Sequence, residues 1–198
     1  MPELRRLELD PVRLKAMAHP LRVEILRVLQ RRKRASVTSL AEELGETTGA
    51  MSYHLRQLAR HGFVEQCDPG SAADSPASPG RRQQWWQMAV DEIHSSGFGM
   101  LADAATSEAA EFLLRESVTQ NARDLAHWYA TATEWPMEWQ RAHTAMTGNL
   151  ELDATQTRAL ADDLSALLSK YQQMEPGPDP RPVAVQYAVF PMETGDRP

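Results

Sequence analysis

Residues 38–62 read TSLAEELGETTGAMSYHLRQLARHG, and the order of caps and apolar positions within them decides the fold. Thr38 suits an N-cap, since its hydroxyl can accept from an amide of the first turn, and Leu40, Ala41 and Leu44 then share one helical face. Gly45 ends that helix, because glycine tolerates the left-handed backbone that helix termini require. Thr47 offers a second N-cap at once. From there a helix over residues 48–61 buries Met51, Leu55 and Leu58, and Gly62 stops it. Two short helices joined by a glycine-containing turn form a helix-turn-helix.

Two further helices precede this pair. Leu14, Met17 and Ala18 make a short apolar face, which His19-Pro20 interrupts; proline suits the first turn of a new helix, where its missing N–H would have lacked a partner. Leu21, Ile25, Val28 and Leu29 continue as a helical stripe. Arg31-Arg32-Lys33-Arg34 closes it, with positive charge at the negative end of the helix dipole. After Gly62, residues 63–66 read as a strand and residues 84–88 as its partner. The segment between them, residues 68–80, holds only Asp, Pro, Gly, Ser and Ala, a composition expected to form a mobile hairpin tip. It runs into Arg81-Arg82.

The composition changes beyond Met88. Residues 103–133 contain neither Pro nor Gly and favour a long helix, which Trp135-Pro136 breaks; a shorter helix is expected over residues 137–147. Residues 149–152 alternate like an edge strand. Asp153 and Gln156 resemble a capping box that opens a helix with the stripe Leu160, Leu164, Leu167, Leu168 and Tyr171. A Pro/Gly/Asp linker over residues 176–182 leads to Val183, Val185, Tyr187 and Val189, which alternate as a closing strand. The expected fold class is mainly α with a small β component. The expected domains are residues 1–90, a winged helix-turn-helix, and residues 91–198, a mostly helical region for dimerisation and ligand binding.

Composition narrows the function. Of 198 residues 42% are apolar and 24% charged, as in an ordinary globular chain. The longest uncharged run is the eleven residues 182–192, too short for a membrane span, and no secretory apolar block stands near the start; the expectation is a cytoplasmic protein without membrane partners. One cysteine, Cys67, excludes an internal disulfide and a multi-cysteine metal cage, and is expected to be a half-buried thiol. The net charge of −6 is unevenly spread: up to Arg82 there are 14 Lys and Arg against 10 Asp and Glu, and from Gln83 on 7 against 17. A basic front half on an acidic chain points to different partners for the two halves, with a polyanion for the first. No glycine-rich phosphate loop is present, Ser95-Ser96-Gly97-Phe98-Gly99 lacks a nucleophile arrangement, and Asp162-Asp163 lie on a solvated helix, so no catalysis and no cofactor are expected.

The DNA reading rests on geometry. A major groove about 12 Å wide admits one helix. With Met51, Leu55 and Leu58 facing inward, Thr48, Gly49, Ser52, Tyr53 and Arg56 lie on the outer side near the helix start, where helix-turn-helix proteins make base contacts. Gly49 and Ala50 keep that surface low enough for close approach.

Residues 14–26, LKAMAHPLRVEIL, resemble the opening of ArsR-family winged-helix regulators, as do residues 52–58, SYHLRQL, followed by His61-Gly62-Phe63-Val64. The resemblance covers about residues 10–90. It implies a homodimer that sets two recognition helices in successive major grooves of a near-palindromic double-stranded operator. It further implies a repressor released by an effector, with Arg81 and Arg82 on the wing against phosphate or the minor groove. His54 matches a position that packs or bonds locally in the family. The chain departs from the metal-sensing relatives: the first helix of its motif reads Leu40-Ala41-Glu42-Glu43-Leu44 without cysteine, and Asp103, His127 and His143 are too widely spaced to share a turn, so no metal site is expected. It also continues for about a hundred residues beyond the minimal length. There Trp128, Trp135, Trp139 and Met146 are candidates to line a site for a small apolar effector, or else to form ordinary core. A winged-helix protein-interaction module without an operator, and a metal sensor, are the alternative readings.

Overall fold

The computed structural model describes residues 5–68, 84–94 and 99–192. The chain divides into two compact units, residues 2–119 and 120–198.

The first unit opens with β1 (Arg6–Glu8), α1 (Pro11–Met17) and α2 (Pro20–Arg32). The break at His19-Pro20 falls where the sequence places it, and its chemistry is specific. Asp10 caps α1 by accepting from the Arg13 amide at 2.8 Å, and His19 caps α2 by accepting from the Leu21 amide on Nδ1 at 3.2 Å. Each helix then starts on proline, which gives up no useful N–H there. Helix α2 buries Ile25, Leu26, Val28 and Leu29, while Leu21 is half-buried.

The basic run closes α2 as expected, with Arg31 and Arg32 in its last turn and Lys33 as its C-cap. The helix ends at Arg32, Lys33 takes a φ of +67°, and Arg34 opens a strand, β2 (Arg34–Ser36). Arg31 and Arg32 both reach the carboxylate of Glu43. Strand β2 also moves the start of the next helix, α3 (Val37–Leu44). Ser36, not Thr38, is its N-cap: Ser36 Oγ accepts from the Ser39 amide and Ser39 Oγ accepts from the Ser36 amide, each at 3.0 Å. The reason is tertiary. Ala35 and Ser36 are paired to Trp86 and Trp85, and the Val37 amide donates to the carbonyl of Gln84 at 3.1 Å, so the chain is extended up to Ser36 and turns helical directly after it. Thr38 lies exposed in the first turn.

Gly45 terminates α3 at φ +67° and ψ 31°, with its amide donating to the Ala41 carbonyl. A Cβ there would meet nothing within 4 Å, so substitution is opposed by the backbone alone. Gly45→Ala is therefore expected to lower stability by about 1–2 kcal/mol, and Gly45→Asn by less, as read from urea unfolding midpoints. Helix α4 (Thr48–Arg60) follows, capped as expected by Thr47, whose hydroxyl accepts from the Ala50 amide at 3.2 Å.

Strands β3 (Val64–Cys67) and β4 (Trp85–Met88) form the antiparallel pair read from the sequence, with Val64 opposite Met88 and Cys67 opposite Trp85. The third strand, β2, joins on the other side of β4. A separate parallel pair links β1 to β5 (Glu92–His94), with Leu7 opposite Ile93. Neither β1, β2 nor β5 is evident from sequence patterning. One core joins these elements, with Ile25, Leu29, Leu40, Met51, Leu55, Leu58 and Phe63 sealed from solvent. After α5 (Gly99–Ala102), buried Thr106 donates from its hydroxyl to the Met100 carbonyl at 2.7 Å and leads into α6 (Ser107–Thr131). Ala110 of α6 belongs to the core. Arg27 of α2 donates to the backbone carbonyl of Glu116 at 3.1 Å while pairing with Glu24.

The second unit holds the end of α6, a 3-10 turn (Ala132–Glu134), α7 (Met137–Ala142) and α8 (Ala154–Gln172). Trp135-Pro136 interrupts the helices as expected, although α7 is shorter than residues 137–147. The capping box on α8 is present: Asp153 accepts from the Gln156 amide at 2.8 Å and Gln156 accepts from the Asp153 amide at 3.0 Å. Two expectations are corrected. Residues 149–152 and 183–189 form no strand; Leu150, Val183, Val185 and Tyr187 are exposed, because alternation makes a strand only where another edge supplies the ladder. No side chain among residues 120–192 is buried, and Leu125, Leu167 and Tyr171 stand in solvent. Among the described residues, no helix is long and apolar enough to cross a membrane.

Candidate nucleic-acid interface

Helix α4 has two chemically distinct sides. Met51, Leu55 and Leu58, at spacings of four and three, are fully buried against the rest of the first unit. The opposite side carries Gly49, Tyr53 and Arg56 exposed, with Tyr53 half accessible at 50%; Thr48 is exposed in the first turn of the helix and Ser52 is half-buried beside them. All five candidates for base contact thus sit on one helix, four of them in its N-terminal half and Arg56 just past its middle. No carboxylate occurs from Thr47 through His61, so nothing on this helix repels a polyanion. Thr48 and Ser52 offer hydroxyls, Tyr53 a phenol and Arg56 a five-donor fork that matches guanine or phosphate. Gly49 leaves the helix surface bare where a backbone would approach. Arg81 and Arg82 lie outside the described residues; the strands that lead to them, β3 and β4, are in place.

A histidine and arginine cluster that sequence reasoning did not assemble braces this helix from behind. His54, one residue after Tyr53, accepts on Nδ1 from Arg22 Nε at 3.3 Å and packs on the His19 ring at 4.5 Å between centroids. Tyr53 meets the edge of His54 at 5.2 Å. Arg22 in turn donates to the Ala16 carbonyl, so α1, α2 and α4 share one polar junction. His54 therefore bonds locally, as the family resemblance implies. The signal in sequence was the pair of residues His19 and His54, but their meeting depends on how α2 crosses α4.

Burial, and then electrostatic repulsion from the neighbouring His19 and Arg22 side chains, hold the His54 imidazole below its ordinary value, against a smaller opposing pull from Glu46. A histidine with a lowered folded value favours the fold while neutral. That contribution is complete above about pH 6.5 and is lost as pH falls through the lowered value. The expected result is a first unit that loses stability below pH 6.5, with His54→Asn, which keeps an acceptor near the Nδ1 position, flattening that part of the profile in thermal unfolding. Cys67, at the end of β3, is a half-buried thiol whose ionisation burial pushes up, which makes it a poor nucleophile.

In the second unit Trp128, Trp135 and Trp139 come together, with ring centroids 5.8 Å apart for the first pair and 6.3 Å for the second. All three are half-buried. Met146 is 93% exposed. Among the described residues, no group of three or more His, Cys, Asp or Glu is placed to hold a metal ion.

The family model of a helix-turn-helix domain matches residues 17–67, which run from the end of α1 to the end of β3. No curated protein matches the sequence. Solved structures similar to parts of the chain include reduced HlyU from Vibrio cholerae, 27% identical with a TM-score of 0.31 over 39% of this chain and 70% of that one. A transcriptional regulator homologue from Pyrococcus horikoshii is 22% identical, with a TM-score of 0.33 over 58% of this chain and 93% of its own. The homodimeric winged helix-turn-helix DNA-binding domain of Mb0332 from Mycobacterium bovis, titled a possible ArsR-family regulator, is 21% identical with a TM-score of 0.34, over 58% and 83%. A helix-turn-helix domain match over residues 17–67, with the strands β3 and β4 paired after the second helix of the motif, makes this part of the chain a winged helix-turn-helix domain.

Proposed function

We propose that the protein is a sequence-specific transcriptional regulator, a homodimeric repressor of a near-palindromic operator that a small effector releases. The observation that carries the DNA reading is α4 itself: a helix sealed on one side by Met51, Leu55 and Leu58 and lined on the other by short hydrogen-bonding side chains and Arg56, without a carboxylate. On this reading Thr48, Gly49, Ser52, Tyr53 and Arg56 meet base edges, and Arg81 and Arg82 of the wing grip the backbone.

Dimerisation is supported by the exposed apolar residues of α6 and α8. Val118, Leu125, Leu167 and Tyr171 are in solvent in the single chain, and no side chain among residues 120–192 is buried. Helices of that kind gain burial from a second copy. Effector binding is assigned to residues 91–198, where Trp128, Trp135 and Trp139 gather. Arg27 provides a support for coupling, since it ties α2 of the DNA-binding domain to the backbone of α6.

The test is a gel shift of the full chain on the fragment upstream of its own gene, against random duplex at equal salt. A retained, symmetric-footprint complex at protein concentrations that leave random duplex free supports the reading. No retention on any duplex, even in dilute buffer, would leave the protein-interaction module as the better description.

A further inference from the structure

The aromatic cluster of the second unit is already engaged by a cation. The guanidinium of Arg181, from the Pro-rich segment after α8, lies 5.8 Å over the ring of Trp135. Trp135 is flanked by Trp128 and Trp139, and His143 stacks on Trp128 at 5.3 Å with Tyr129 at its edge, 5.6 Å away. The rings come from α6, the turn after it and α7, and the Trp135 carbonyl accepts from Gln140 Nε2 at 2.8 Å, which fixes the bend that brings them together. They are half-buried or exposed and not sealed, so their faces remain within reach of a solute. A core of the same residues would cover those faces.

Charge selects among solutes. Residues 120–198 carry 11 Asp and Glu against 6 Lys and Arg. Within the cluster, Trp135 and Trp139 each follow a glutamate, Glu134 and Glu138, both exposed and without an ion-pair partner among the described residues. Electron-rich ring faces in a unit of net negative charge attract an apolar body that bears a positive charge and repel an anion. Arg181 is itself tethered weakly, by a 3.5 Å pair with exposed Asp179. An exposed pair of that kind holds its position with little free energy, so an external cation can displace the guanidinium.

We propose that this cluster is the effector site and that its ligand class is an organic cation with an apolar or aromatic body, with Arg181 as the intramolecular cation it displaces. This rests on the effector reading above and deepens it by naming the class. The experiment is calorimetric titration of the full chain with phenyltrimethylammonium and with tert-butylbenzene, the neutral carbon analogue of the same shape, with tryptophan fluorescence as a second readout. Saturable binding of the cation, at least about tenfold tighter than the neutral analogue, is expected. Arg181→Ala is expected to tighten cation binding by about two- to fivefold, the worth of one exposed cation–ring contact. The Glu134→Gln/Glu138→Gln variant, which alters only exposed side chains, is expected to weaken the cation and leave tert-butylbenzene unchanged.

Equal affinity for the two probes would overturn the cation class and leave an apolar effector site standing. No saturable response to either would overturn both the class and the cluster as the effector site. Weaker cation binding by Arg181→Ala would overturn displacement.

Discussion

Leu55→Ala is expected to lower the unfolding free energy of the first unit by about 2–5 kcal/mol. Leu55 is fully buried at the centre of the inner side of α4, between Met51 and Leu58, and α4 packs on α1, α2, α3 and β3. Removing its branched end forfeits the transfer of those carbons from water and leaves a void that four surrounding elements must collapse together to fill. Collapse is hindered here, because α4 is pinned at its start by the Thr47 cap and at its end by the Leu58 carbonyl, which accepts from the Phe63 amide at 3.0 Å. The cost therefore belongs in the upper part of that range. Urea denaturation followed by far-UV circular dichroism measures it, and a loss below about 1 kcal/mol would mean that the inner side of α4 is not the packed face. Duplex binding should fall only as far as the population of folded protein falls.

Arg56→Ala, one position along the same helix, should show the opposite pattern. Arg56 is exposed, with no ion pair among the described residues, so stability should stay within about 0.5 kcal/mol of the parent. On the proposed DNA reading it loses about 1–3 kcal/mol per half-site, roughly five- to 150-fold, and a symmetric dimer loses it twice. The loss should be confined to the preferred sequence, so that discrimination relaxes. Arg81→Ala, at a residue that the proposed reading sets against phosphate, should instead weaken specific and random duplex alike and reduce the salt slope by about one. Equal losses on both kinds of DNA for both variants would contradict that division of roles. The adjacent pair of positions makes a sharp contrast: one side chain should act on folding and its neighbour on recognition.

Much of the front of the chain could be read without coordinates because its signals are local. The proline after His19, the glycine at 45, the threonine at 47 and the apolar spacing of Met51, Leu55 and Leu58 each act within one or two turns of backbone, and each sets the element that the structure contains. The same locality placed Gly49, Tyr53 and Arg56 on the outer side of α4, since burying three residues of a helix fixes where the others point. Periodicity failed where it had no partner to act on. Val183, Val185, Tyr187 and Val189 alternate as well as any strand, yet they form no ladder.

What only the tertiary structure decided was pairing at a distance. Strand β1 is three residues long and meets β5 far along the chain, and β2 is equally short; a three-residue strand holds barely one period of alternation, so its existence depends on the edge that receives it. That is also why Ser36 and not Thr38 caps α3. The meeting of His54 with His19 and Arg22, and of Arg181 with Trp135, has the same origin: each contact is set by how elements cross, which no local pattern of residues encodes.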